Sequence, residues 1–122
     1  MSSSRVSQVS QVSQVLSNIS SSEIEKIRVK YPHKVPVYVT KLADSPIPAI
    51  SKNKFLVPSD ITLASFMYVI RKWIKLKPEQ AIFFFINGSM PVMSMTMDQL
   101  YFQNKSDDGL LRITYAAENT FG

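Results

Sequence analysis

The chain has no cysteine and a single histidine, His33, among its 122 residues. Without thiols it can form no disulfide, thiol nucleophile or cysteine-type zinc site. One histidine cannot build a histidine-based metal cluster, and no glycine-rich phosphate loop is present. An enzyme is therefore the least favoured class, and we expect neither a metal nor a cofactor.

Long apolar runs are also missing. No segment approaches the roughly 20 consecutive apolar residues that cross a bilayer. The opening, MSSSRVSQVSQ, lacks the basic start and apolar centre of a secretory signal. We therefore expect a cytoplasmic protein, which would reach membranes only through a bound lipid, a covalent lipid or a basic surface.

Residues 1–21 carry a single charge, at Arg5, and little compositional variety. Serine dominates, and the triplet Val-Ser-Gln occurs three times in residues 6–14. Such low-complexity polar composition predicts a flexible tail. The alternative is a transient helix, because valines at positions 6, 9, 12 and 15 would form one narrow apolar stripe.

The net charge of +5 is unevenly distributed. Residues 23–77 contain 11 Lys/Arg against 4 Asp/Glu, whereas residues 78–122 contain 2 against 5. A basic field of this kind favours acidic peptides, anionic headgroups or nucleic acid without choosing among them.

In the first half of the chain, the pattern predicts a helix followed by two strands. Ser22 and Glu25 have capping-box spacing, and Pro32 ends the helix. Residues 35–41 and 54–58 are rich in β-branched and aromatic residues, which is typical of strands. Because Pro58 cannot donate a hydrogen bond, the second strand is predicted at a sheet edge whose free backbone groups could pair with a peptide.

The second half alternates helices and strands. Apolar residues with a 3.6-residue period predict a helix over residues 62–74, capped by Thr62. The run at 81–86 predicts a central, doubly buried strand, followed by a hairpin turn at Asn87-Gly88. A short helix over 96–104 and a last strand over 110–115 complete an α+β layout. This order matches a ubiquitin-like β-grasp, a four-stranded mixed sheet crossed by a helix, with an N-terminal helical extension.

Several short sequence motifs in this chain resemble those of the autophagy ubiquitin-like modifiers, the family of the GABA-receptor-associated protein and microtubule-associated light chain 3. The matching motifs, in order, are Glu25-Lys-Ile-Arg-x-Lys-Tyr-Pro32, Val35-Pro-Val, Lys54-Phe-Leu-Val-Pro-Ser-Asp60, Ile70-Arg-Lys72, Phe83-Phe-Phe85 with Asn87, Thr96-Met97 with Gln99-Leu-Tyr101, and Phe121-Gly122. They extend over about 100 residues, so the resemblance is more specific than a single motif.

The resemblance implies a division into three parts and a covalent attachment. Residues 22–115 would form the ubiquitin-like domain and residues 116–122 an extended conjugation tail. Gly122 would be joined to phosphatidylethanolamine, giving a lipidated pool on autophagosomal membranes. The ubiquitin-like activating and conjugating enzymes of autophagy would be separate partner proteins, so the chain itself would be a substrate and carrier.

The resemblance also implies a site for cargo receptors that carry an aromatic-x-x-aliphatic motif, which would add as a strand beside residues 54–58. The first pocket would be lined by Glu23, Ile27, Pro36, Tyr38, Lys54, Leu56 and Leu110. The second would be lined by Phe55, Val57, Pro58, Ile61, Phe66, Val69 and Ile70. Periodicity alone favours plain core packing for Ile27, Phe66 and Ile70.

Two other functions compete with the lipidated modifier. An unconjugated adaptor would bind the same peptides without ever acquiring lipid. A basic nucleic-acid or membrane-surface binder would need Phe83, Phe84 and Phe85 exposed as stacking platforms. Because those residues fall in a strand predicted to be buried, we expect no nucleic acid among the partners.

Overall fold

A computed structural model describes residues 13–14, 21–50 and 53–117 of the chain. Within them the helices and strands follow the predicted order, with one short strand added at the start. The elements are β1 Ser13–Gln14, α1 Ser21–Lys30, β2 Lys34–Lys41, β3 Lys54–Pro58, α2 Leu63–Trp73, β4 Ile82–Phe85, α3 Met97–Asn104 and β5 Leu111–Ala117.

The strands form one sheet in the order β1-β3-β2-β5-β4. Strand β2 pairs antiparallel with β3 and parallel with β5, and β4 pairs antiparallel with β5. Strands β2 to β5 are thus the mixed four-stranded sheet that the sequence predicted. The β-grasp expectation is confirmed.

One face of this sheet packs against α2. Alternate residues of β2 are almost fully buried, as the two-residue period of a strand requires. Helix α2 buries Leu63, Phe66 and Ile70, and the Phe66 ring meets the Phe55 ring edge-on at a centroid distance of 5.7 Å. Thr62 caps the helix as predicted, since its side chain accepts a hydrogen bond from the Ser65 amide at 3.2 Å.

The turn after β4 has the conformation that its residues favour. Asn87 and Gly88 both have positive φ, at 52° and 79°. The Ile86 and Ser89 amides each donate to the other residue's carbonyl, at 2.8 and 3.1 Å. The predicted Asn-Gly hairpin turn is therefore confirmed.

The prediction that residues 81–86 form a central, doubly buried strand is wrong. Strand β4 lies at one edge of the sheet, and its exposure alternates: Phe84 is buried, whereas Phe83 and Phe85 are half-buried. The central place beside β2 belongs to β5, which lies between β2 and β4 and pairs parallel with β2 and antiparallel with β4. A run of apolar residues indicates burial, but it carries no information on the strand's neighbours.

Candidate functional site

The backbone of β3 has one side bonded to β2 and one side facing outward. The Val39 amide donates to the Asn53 carbonyl at 2.7 Å, which makes these two residues a hydrogen-bonded pair. Such pairs alternate along antiparallel strands, so Phe55 and Val57 also bond towards β2. The backbone groups of Lys54, Leu56 and Pro58 consequently face the outer edge.

Strand β1 occupies part of this outer edge. Ser13 lies opposite Leu56, and Gln14 lies opposite Phe55, in antiparallel register. The expectation of an edge with free backbone groups is therefore wrong at Leu56, because the chain's own N-terminal segment pairs there. Ser21, the last residue of the predicted 1–21 tail, is the first residue of α1. Residues 1–12 and 15–20 lie outside the described residues, and their flexibility stays a prediction.

Four residues of the predicted first pocket share one face of the sheet. Pro36 is opposite Leu56 and Tyr38 is opposite Lys54 in the β2/β3 register, so their side chains project to the same side. Pro36 and Leu56 are buried, whereas Tyr38 and Lys54 are half-buried and open to solvent on one side.

The other three members of that set come from elements next to this face. Helix α1, which contacts β2, carries the exposed Glu23 and the half-buried Ile27. Leu110, just before β5, is buried. The structure thus places the predicted residues on neighbouring elements, with Tyr38 and Lys54 as the accessible ones on the sheet.

Cations flank the Tyr38 ring from two strands. The Lys54 Nζ lies 5.8 Å from the ring centroid, and the Arg112 guanidinium carbon lies 4.9 Å from it. Arg112 also pairs with Asp108. Positive charge beside an aromatic face suits an acidic or aromatic ligand.

The predicted second pocket is more deeply buried than the first. Every one of its seven residues is buried, so in this conformation they pack as core. One member, Phe55, contacts a partly exposed aromatic residue, because its ring meets the Trp73 ring at a centroid distance of 6.4 Å. Trp73 is 47% exposed. Trp73 was not among the predicted pocket residues, although the 3.6-residue period of α2 places it on the apolar side of that helix.

A cavity of about 350 Å³ between α1 and α3 escaped the sequence analysis. It is lined by Ile24, Glu25, Arg28, Tyr101, Lys105, Ser106, Asp107, Asp108 and Gly109. Two features of the sequence border this cavity and could have indicated it: the turn residues between Lys105 and Gly109, and the alternating charges of α1. Sequence separation hid the fact that the two segments meet.

Arg28 and Tyr101 form the wall of this cavity. The guanidinium carbon lies 4.6 Å from the Tyr101 ring centroid, and Nε is buried without a hydrogen-bond partner in the described part of the chain. The Tyr101 hydroxyl donates to the Gly109 carbonyl at 2.7 Å. Burial raises the pKa of Tyr101, and the Arg28 charge partly opposes that rise.

The C-terminal residues continue from the central strand. Strand β5 ends at Ala117, and its amide donates to the Ser45 hydroxyl at 2.9 Å. Gly122, the predicted attachment point, lies outside the described residues. In the part of the chain that the structure covers, no helix has the length and apolar character needed to cross a membrane.

Comparison with known proteins agrees with this architecture. The model of the family described as "Autophagy protein Atg8 ubiquitin like" matches residues 20–122. The chain belongs to the Atg8 family. Autophagy-related protein 8 of Schizosaccharomyces pombe is 52% identical over 101 residues, which are 83% of this chain and 84% of that protein.

Other Atg8 proteins are similar in sequence and in fold. Autophagy-related protein 8B of Oryza sativa subsp. japonica is 48% identical over 101 residues, which are 83% of this chain and 85% of that protein. The crystal structure of Trypanosoma brucei ATG8 superposes with a TM-score of 0.77 at 35% identity, covering 80% of this chain and 84% of that one. The resemblance stated from the sequence is confirmed, and the chain is an autophagy-related ubiquitin-like protein.

Proposed function

We propose that this Atg8-family chain is a modifier joined through Gly122 to phosphatidylethanolamine on autophagosomal membranes, where it recruits cargo receptors with aromatic-x-x-aliphatic motifs. The observation that carries the proposal is the family match, which includes residue 122, and it is supported by a β3 edge that already pairs with an added strand, β1. The unconjugated protein would be cytoplasmic, with a lipidated pool on membranes.

The conjugation chemistry requires an accessible carboxylate on a slim tail. The Gly122 carboxylate would displace pyrophosphate from ATP, pass from the adenylate to an enzyme thiol with release of AMP, and then form an amide with the lipid amine. The thiol leaves in the last step. Activating and conjugating enzymes would supply all catalysis, and this chain would supply the tail that continues from Ala117, the last residue of the central strand.

Reconstitution with the matching enzymes, ATP and phosphatidylethanolamine liposomes tests the covalent step. We expect the wild-type chain to gain the mass of one lipid and Gly122→Ala to gain none, because a side chain obstructs a narrow active site. Asn119→Ala, which alters the tail but keeps its terminal glycine, is the matched control. Lipid on Gly122→Ala would contradict the assigned residue, and an unmodified wild-type chain would favour the adaptor.

In peptide recognition, backbone hydrogen bonds would supply affinity and side-chain pockets would supply specificity. A partner strand would bond to the outward backbone of Leu56, place its aromatic residue near Tyr38 and Lys54, and direct its aliphatic residue towards Phe55 and Trp73. The second pocket is closed in this conformation, so ligand entry would require α2 to move relative to β3. Such side-chain and loop adjustments are common when peptides bind.

Titration of the unlipidated chain with a short aromatic-x-x-aliphatic peptide tests recognition separately. We expect amide chemical-shift changes concentrated at Lys54, Leu56 and Trp73, and a loss of binding when both anchors of the peptide are alanine. Shift changes confined to β4 or to the α1/α3 cavity would contradict the assigned edge.

A further inference from the structure

The two residues that pair with β3 belong to the third copy of the Val-Ser-Gln repeat, residues 12–14. We propose that this repeat, residues 6–14, is a displaceable occupant of the β3 edge that competes with partner peptides. The inference rests on the proposed function, since the same edge would receive the partner strand.

The geometry makes the two strands mutually exclusive. Lys54, Leu56 and Pro58 face the outer edge, and Pro58 has no amide hydrogen to donate. Ser13 lies opposite Leu56, so these two form a hydrogen-bonded pair and use both backbone groups of Leu56. Any strand added from another protein needs the same groups. It can bind there only after β1 leaves.

The pairing of the repeat with β3 is weak, because the paired segment is short and its side chains offer no anchor. A pairing of two residues is marginal in water. Residues 6–20 contain no aromatic residue to fill a pocket and no acid to meet Lys54 or Arg112. A partner that brings an aromatic anchor and flanking acids gains both interactions, so it can displace the repeat.

Attachment to α1 compensates for this weakness. Residues 15–20 connect β1 to α1 directly, and a short tether gives an effective concentration on the order of millimolar. A weak pairing at that concentration lowers the apparent affinity of every ligand for the edge by the same factor. Ligands of low affinity would then be excluded while strong ones still bind.

Because the triplet occurs three times, the segment could pair with β3 in more than one register. A slip by three residues brings Ser10 or Ser7 to the position of Ser13, with the same neighbours on each side. Polar strands specify their register weakly, so all three alignments are available. Loss of one copy should therefore leave the edge covered.

The test compares the full chain with two triple variants. Replacement of Ser7, Ser10 and Ser13 by proline removes the amide hydrogen that each register donates to Leu56, whereas replacement of the same serines by alanine keeps it. Hydrogen exchange of the Leu56 amide is measured without ligand. We expect exchange about three- to tenfold faster in the proline variant than in the other two chains, and little change for Ser13→Pro alone.

The same three chains are then titrated with an aromatic-x-x-aliphatic peptide. We expect the proline variant to bind about three- to tenfold more tightly than the wild-type chain, and the alanine variant to match the wild type. Equal Leu56 exchange in all three chains, or equal affinities, would overturn the inference while leaving the proposed peptide site intact. If no chain binds the peptide, the proposed recognition fails, and slower Leu56 exchange in the wild type than in the proline variant would still support occupancy by the repeat.

Discussion

Gly109 lies just before β5 and packs closely against α1. Its φ is +86°, and a Cβ placed there would lie 3.0 Å from Cγ2 of Ile24 in α1. Gly88 has a similar φ of +79° but open space around it. The two glycines therefore share a backbone requirement and differ in packing.

This difference gives a matched pair of variants. We expect Gly88→Ala to lower the free energy of unfolding by about 1 kcal/mol through backbone strain alone. Gly109→Ala should cost about 1–3 kcal/mol more, because the methyl group also displaces Ile24. Urea denaturation measures both values. Equal costs would show that α1 moves away freely.

Tyr115 links the central strand to the loop before β3. Its ring is buried, and its hydroxyl donates to the Pro48 carbonyl at 2.8 Å. Burial raises the pKa of Tyr115 above the ordinary value of 10.0. Because the unfolded chain ionises first, the stability from this group is complete below about pH 10 and is lost as the pH rises through the folded pKa.

We therefore expect Tyr115→Phe to cost about 1 kcal/mol at neutral pH, through the lost hydrogen bond, and to lose stability less steeply above about pH 10. The exposed Tyr68 provides the control, since Tyr68→Phe removes a hydroxyl without disturbing the core. Denaturation series from pH 8 to 11 compare the three chains. A parallel loss of stability in wild type and Tyr115→Phe would exclude the buried hydroxyl as a source of the pH dependence.

At the level of elements, α2 and α3 begin at one shared junction. Thr62 and Thr96, the N-caps of the two helices, form an isolated β-bridge. Thr96 also completes a capping box, in which its hydroxyl accepts from the Gln99 amide at 3.2 Å and the Gln99 side chain accepts from the Thr96 amide at 3.0 Å. The N-caps of the two helices are therefore joined through their backbones.

We expect Thr96→Ala to lower the free energy of unfolding by about 1 kcal/mol, because the Gln99 amide loses its acceptor. Thr96→Ser keeps the hydroxyl and should stay within about 0.5 kcal/mol of wild type. Thermal denaturation of the three chains measures both. If serine were as damaging as alanine, the methyl group of Thr96 rather than its capping hydroxyl would be the stabilising feature.

The elements also show what sequence can and cannot predict. Caps, turns and helix periods depend on residues a few positions apart, so Thr62, Asn87-Gly88 and the extents of α2 and α3 were predicted from local pattern. The edge position of β4 depends on β5, and the covering of β3 depends on a tail joined to it through a whole helix. Pairings between distant segments leave no local signal, and the α1/α3 cavity was missed for the same reason.

For the whole molecule, the uneven charge predicts how partners should associate. Residues 23–77 hold most of the excess Lys/Arg, and Lys54 and Arg112 stand beside the Tyr38 ring. A peptide with acidic residues before its aromatic anchor should therefore bind more tightly at low salt than one with neutral residues there.

We expect Lys54→Gln to weaken the acidic peptide about two- to fivefold at low salt and to leave the neutral peptide nearly unchanged. Lys75→Gln removes a charge two residues after the end of α2 and serves as the control. Calorimetric titration at two ionic strengths measures all combinations. Equal weakening by both variants would indicate a general field rather than a contact at the edge.

The parallel pairing of β2 with β5 has a consequence for biosynthesis. Val37 lies beside Leu111, so the middle of the sheet stays vacant until residue 111 has left the ribosome. Before then β2 has no partner on the side that β5 will occupy, and its unpaired backbone is available to chaperones. Pairings this distant also slow spontaneous refolding, because much chain entropy is lost before the contact forms. Nascent chains stalled before residue 111 should therefore remain sensitive to protease, whereas released ones become resistant.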